Sequence, residues 1–264
     1  QPRWSPEAVL YFVSDRTDWW NLYRLKDGRV EALTDLEAEF ATPPWVFGMQ
    51  QYAFASPGRI LCAFTRKGAW SLASLAVETR RLTPLQLPYT DISSLQCDGH
   101  QAAFLAGSPS EPLSVIRMDL ESGRREVLRR STPLSLDPEY LSRPESVEFP
   151  TAGGRTAHAL FYPPRNPVFV APNGERPPLV VMSHGGPTSA TSTALRLNIQ
   201  FYTSRGIAVL DVNYGGSTGY GRAYRERLYG QWGVVDVDDC CAGAAYLAKQ
   251  GRVDGSRLAI RGGS

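Results

Sequence analysis

Long apolar runs are missing from this sequence. No stretch is long enough to cross a bilayer as a helix, so a membrane-spanning chain is not expected. The opening residues, QPRWSPEAVLYFVSD, lack the basic segment and apolar core of a secretory signal, and a cytoplasmic location is expected. An excess of one charge is missing too. Lys and Arg number 28 against 26 Asp and Glu, leaving +2, which gives no electrostatic reason for a nucleic-acid or membrane-surface partner. Cysteine is scarce: Cys62, Cys97, Cys240 and Cys241 match no zinc spacing. They read as thiols in a reducing compartment. Histidine is scarcer still, with His100, His158 and His184 alone.

What is present falls into two halves. Residues 1–140 read as β-structure. Apolar runs recur at 9–15, 60–66 and 102–108, and a second strand-like run follows each. Their starts, Val9, Ile60 and Ala102, lie 51 and then 42 residues apart, a spacing that suits the blades of a β-propeller. KDGR and ESGR supply turn chemistry between paired strands. Two and a half to three blades cannot close a ring, so a partial propeller is expected. A β-sandwich with accidental periodicity is the alternative.

The pattern changes over residues 131–150, where Pro133, Pro138, Pro144 and Pro150 punctuate an interdomain linker. SVEF and AHALFYPP then flank a hairpin turn, and a Pro-rich loop follows. From residue 179, apolar strands alternate with helices. LVVMSH, IAVLDVNY and RLAIRG read as buried strands. Residues 191–204 place Leu195, Ile199 and Tyr202 on one helical face. Residues 236–249 place Val237, Cys241, Ala244 and Ala248 on another. This order implies a parallel sheet covered on both faces. The expected fold class is therefore partial N-terminal β-propeller blades (1–140) followed by a truncated α/β-hydrolase domain (141–264).

In such a sheet, ligands bind beyond the carboxyl ends of the strands. Three Gly-rich segments follow those ends: HGGP at 184–187, YGGSTGYG at 214–221 and the terminal GGS. Gly262-Gly263-Ser264 is the start of a G-x-S-x-G nucleophile elbow, where a serine sits on a tight strand-to-helix turn. Gly185 and Gly186 let a backbone N–H approach an oxyanion closely, because no Cβ intervenes. His184, Tyr214, Gly215 and Gly216 are expected on the bordering loops. Tyr220 and Arg222 follow on the same loop without an assigned role. Asp236, Asp238 and Asp239 read as helix-start acids rather than a metal site. Trp19, Trp20 and Trp45 read as packing residues, with a channel or substrate contact as the alternative. The reading requires no metal and no cofactor.

The segments VVMSHGGPTS, FYTSRGIAVLDVNYGGSTGYGRAY, GQWGVVDVDD and VDGSRLAIRGGS, in that order and spacing, resemble the catalytic domain of the prolyl oligopeptidase family. The acylaminoacyl-peptidase and dipeptidyl-peptidase-like branch is the nearest in pattern. The resemblance implies a propeller joined to an α/β-hydrolase domain, with Ser264 as nucleophile and Gly186 offering an oxyanion N–H. It also implies a triad Asp and His beyond residue 264, since all three histidines precede the serine. The expected function is serine-type hydrolysis of short peptides or acyl-amino acids through an acyl-enzyme, with the 264 residues alone inactive. An esterase of the same fold and a non-catalytic propeller interaction protein are the alternatives. The expected partner is a peptide substrate, with no nucleic acid or membrane; oligomeric state is open.

Overall fold

The computed structural model describes residues 1–186 and 188–263; Pro187 and Ser264 lie outside the described residues. The chain divides into two compact units. One comprises residues 1–132 with 218–223, the other residues 133–217 with 224–264.

The N-terminal unit contains three four-stranded antiparallel sheets. The first holds β1 (Arg3–Trp4), β2 (Leu10–Ser14), β3 (Asn21–Lys26) and β4 (Arg29–Ala32). The second holds β5 (Tyr52–Ser56), β6 (Arg59–Arg66), β7 (Ala69–Ala76) and β8 (Arg81–Pro84). The third holds β9 (Asp91–Cys97), β10 (Gln101–Ser108), β11 (Glu111–Asp119) and β12 (Arg125–Arg130). Each sheet is a simple meander, the form of a propeller blade. The apolar runs that set the repeat are the second strand of each blade rather than the first. The sequence pattern passes over β1 because it is two residues long, and β9 because DISSLQC mixes polar residues into its alternation.

Packing explains the continuous apolar run of β6. Ile60 and Cys62 enter a core shared with Tyr11, Leu22 and Phe40, whereas Leu61 and Ala63 enter a core shared with Ile92, Ala102 and Phe104. A strand buried on both faces loses the polar alternation of a half-exposed one. Burial also holds the Cys62 thiol well above its ordinary pKa. Tight reversals join the strands. Asp27 and Gly28, both with positive φ, make the two-residue turn between β3 and β4, and Lys67 and Gly68 do the same between β6 and β7.

Residues 218–223 pack with this unit. The buried Glu39 carboxylate accepts the Gly221 N–H at 3.0 Å, Arg222 donates to Asp18, and the Trp19 ring lies against Gly221. Tyr220 and Arg222 are thus anchored among the blades. Trp45 is exposed, while Trp19 and Trp20 are half-buried, so Trp45 does not serve as packing.

The C-terminal unit is built on a five-stranded sheet of order β13-β14-β16-β15-β17. Its strands are β13 (Glu145–Thr151), β14 (Arg155–Tyr162), β15 (Leu179–Ser183), β16 (Ala208–Asn213) and β17 (Leu258–Gly262). β13 and β14 form the expected hairpin, turning at 152–154. β14 runs antiparallel to β16, while β16, β15 and β17 are mutually parallel. Helix α1 (Leu197–Thr203) covers one face with Ile199 against Leu160, Tyr162 and Val209. After the single turn α2 (Arg222–Arg225), helix α3 (Val235–Lys249) covers the other, with Leu247 and Ala244 against Phe149, Leu210 and Val212.

Two expectations need correction here. The first helix begins at Leu197, not 191, and Leu195 lies outside it. The preceding residues are held open because the Asn213 side chain accepts the Thr191 N–H at 2.8 Å. The buried stripe of α3 is Val235, Asp239, Cys240, Gly243, Ala244 and Leu247; Val237 and Cys241 are exposed. An acid, Asp239, occupies the stripe and rotates it by about one residue from the purely apolar pattern. Within this span β17 pairs with β15.

Candidate active site

The parallel register aligns the strand ends. Ser183 stands opposite Val212 on one side and Gly262 on the other. The loops after β15, β16 and β17 therefore leave the sheet at one edge, where His184-Gly185-Gly186, Tyr214-Gly215-Gly216 and Gly262-Gly263 are gathered. Ser264, the expected nucleophile, lies outside the described residues.

The first two loops are interlocked. The His184 and Tyr214 rings stack, with centroids 4.4 Å apart and planes 24° from parallel. The Tyr214 hydroxyl donates to the His184 carbonyl at 3.3 Å. His184 Nδ1 lies 2.9 Å from the Gly185 carbonyl, and Nε2 lies 2.6 Å from Ser217 Oγ. Burial lowers the His184 pKa below its ordinary value, with the Gly185 hydrogen bond opposing it, which favours the neutral ring. Burial, with help from Asp236 and Cys240, pushes Tyr214 up to about 12, so its hydroxyl stays a donor at neutral pH.

Space at Gly186 is tight. A Cβ placed there would stand 3.0 Å from both the Tyr214 hydroxyl and the edge of the Trp232 indole. Glycine lets these groups close over the 185–186 backbone.

The Gly215–Gly216 loop is held from behind. Gly215 N–H donates to Asp239 Oδ2 at 2.7 Å, and the Thr151 hydroxyl donates to Asp239 Oδ1 at 2.5 Å. Gly216 N–H donates to the Tyr224 carbonyl at 3.0 Å. A Cβ on Gly215 would meet Val235 at 2.7 Å, and one on Gly216, where φ is +120°, would meet Leu228 at 2.8 Å. Both Asp239 oxygens are thus engaged in holding this loop. Asp236, in the first turn of α3, accepts the N–H of Gly233 in the preceding turn at 2.7 Å.

The structure brings together His184, Gly185, Gly186, Tyr214, Gly215 and Gly216. It leaves His158 on β14 beside the Tyr224 ring, and His100 in a hairpin turn of the blade unit. Sequence reasoning missed Ser217, Asp239, Thr151 and Trp232. Ser217 lay inside the quoted YGGSTGYG segment, but its role depends on a histidine 33 positions earlier. A separate groove of about 1140 Å³, bordered by Phe169, Arg176, Pro178 and Gly206, lies before the parallel strands begin, away from these loops.

The prolyl oligopeptidase family profile matches residues 193–264. A puromycin-hydrolysing peptidase of Mycobacterium tuberculosis is 47% identical with a TM-score of 0.95, over all of this chain and 41% of its own. Over residues 193–264 the chain carries the pattern of the prolyl oligopeptidase family. Among other relatives, a puromycin hydrolase structure is 44% identical with a TM-score of 0.93, over 99% of this chain and 40% of its own. The acylamino-acid-releasing enzyme of Rattus norvegicus is 39% identical over 106 residues, which is 40% of this chain and 14% of the relative. The chain spans about two-fifths of the puromycin-hydrolysing structures it matches. Its fold follows the family order, propeller-like blades and then an α/β region.

Proposed function

We propose that the protein is a serine-type peptidase in which Ser264 attacks the carbonyl of a short peptide, an acyl-amino acid or an aminoacyl amide. The observation that carries this reading is the register Ser183–Gly262, which places the strand leading to Ser264 directly beside the strand leading to Gly185 and Gly186. A nucleophile at the end of one parallel strand and a backbone N–H donor after its neighbour is the arrangement acyl transfer needs. In this reading Gly186, with Gly185, supplies the oxyanion donor. His184, Tyr214, Gly215 and Gly216 shape the loop, and residues 1–140 and 141–264 are the propeller and hydrolase portions. The aminoacyl-amide class is supported by two relatives named for puromycin hydrolysis.

None of the three histidines fits the role of general base. His184 has both ring nitrogens engaged, and His158 and His100 sit mid-strand and in a blade turn. The resemblance to the prolyl oligopeptidase family implies a base and a carboxylate partner beyond Ser264, and in this reading the 264 residues alone are expected to be inactive. Cytoplasmic residence belongs to the same reading, supported by four cysteines without disulfides.

A fluorophosphonate probe tests the assignment. The protein read through past Ser264 should label at that serine, and a Ser264→Ala variant should not. Labelling elsewhere, or none in the read-through protein, would favour a non-catalytic role.

A further inference from the structure

The contacts of His184 are unusual for a loop histidine. Both ring nitrogens are committed, and one holds a carbonyl of the next residue. The direction of these bonds follows from chemistry. The Gly185 carbonyl can only accept, so Nδ1 must carry a proton. In the neutral ring, Nε2 then has a lone pair and no hydrogen, and Ser217 must donate its hydroxyl proton to it. Ser217 is fully buried and has its own backbone fixed, its N–H donating to the Tyr214 carbonyl at 2.9 Å. The hydroxyl is therefore presented from a rigid support.

The consequence reaches the next peptide group. Gly185 C=O and Gly186 N–H belong to one planar trans unit, in which carbonyl and N–H point in opposite directions. Gripping the carbonyl therefore aims the N–H.

We propose that Ser217 is a positioning residue: by fixing the tautomer of His184, it makes the imidazole clamp the Gly185 carbonyl and so sets the direction of the Gly186 N–H. This rests on the serine-peptidase reading only for calling that N–H an oxyanion donor. Without the Ser217 hydroxyl, the proton can move to Nε2, Nδ1 becomes an acceptor, and two acceptors face each other at Gly185. The peptide is then free to rotate between its two glycines. The stacked Tyr214 ring holds the imidazole plane in either tautomer, so it cannot substitute for the hydroxyl's choice of nitrogen.

Long-range proton–nitrogen NMR for the ring and amide correlation for the backbone, on the intact protein with 15N-labelled histidine and glycine, test the proposal without turnover. The wild type should show His184 as the Nδ1–H tautomer, with Nε2 unprotonated and hydrogen-bonded. Ser217→Ala should mix or reverse the tautomers and shift or broaden the Gly186 amide, while Ser217→Thr, which keeps the hydroxyl, should restore the wild-type ring signals. An Nε2–H tautomer in the wild type overturns the proposal whatever the variants do. Unchanged ring and Gly186 signals in Ser217→Ala overturn it equally. Failure of the fluorophosphonate to label Ser264 would defeat the peptidase reading instead and leave these spectra to judge Ser217 alone.

Discussion

Glycine does different work in the two units. In the blade hairpins, Gly28 and Gly123 have positive φ and open space where a Cβ would go. Their requirement is conformational, and it is local to a turn. In the α/β unit, Gly186 and Gly215 lack positive φ but have neighbours at 2.7 to 3.2 Å from a would-be Cβ. Their requirement is room, and the neighbours come from distant segments such as Trp232 and Val235. The blades tolerate glycine as punctuation, whereas the site depends on it for close approach. Gly216 carries both demands at once.

Substitutions at these positions can break that contrast. Gly216→Ala meets the φ penalty and the Leu228 side chain together, and should cost about 4 kcal/mol in urea unfolding, combining strain with overpacking. A loss under about 1 kcal/mol would mean that Leu228 yields freely and the close approach is not a constraint.

A second expected effect comes from a buried acid with a different kind of partner. Asp239 accepts a backbone N–H and a hydroxyl, whereas Asp211, in the middle of β16, faces Arg196 at 2.5 Å. Burial outweighs that arginine and pushes Asp211 up to about 6. Its folded pKa lies above the unfolded value near 3.9, so the folded state holds the proton more tightly through that interval. Stability supplied by the protonated acid is fully present below about pH 4 and is lost as pH rises through 6. The wild type should lose about 2 kcal/mol relative to Asp211→Asn between pH 4 and 6.5. Parallel pH profiles for the two proteins would show that Asp211 is not the source.

The smallest expected effect lies in the blades. Gly28→Ala should cost about 1 kcal/mol, from φ alone, since nothing lies within 4 Å of the new methyl. A much larger loss in urea unfolding would show that the turn is crowded after all and would erase the distinction between the units.

Much of the architecture was legible because it depends on short-range pattern. The apolar run of β6, the Asp27-Gly28 reversal and the three Gly-rich segments after strands each announce themselves within ten residues. The errors share one cause, a partner far away in sequence. Thr191 stays outside α1 because its N–H is taken by Asn213. Asp239 turns the α3 stripe because Gly215 and Thr151 give a buried carboxylate its hydrogen bonds. Without those donors a carboxylate at that depth would be prohibitive, and no periodicity rule would place it there.

One strand in the blades has a consequence for how this chain can vary. In β6, consecutive residues serve opposite cores: Ile60 and Cys62 one, Leu61 and Ala63 the other. Inserting or deleting a single residue there would exchange the allegiance of every side chain beyond it, so that each core received the shapes cut for the other. Length changes are therefore barred from this strand and left to the turns, where the blades can drift in size while the shared walls between them keep their count.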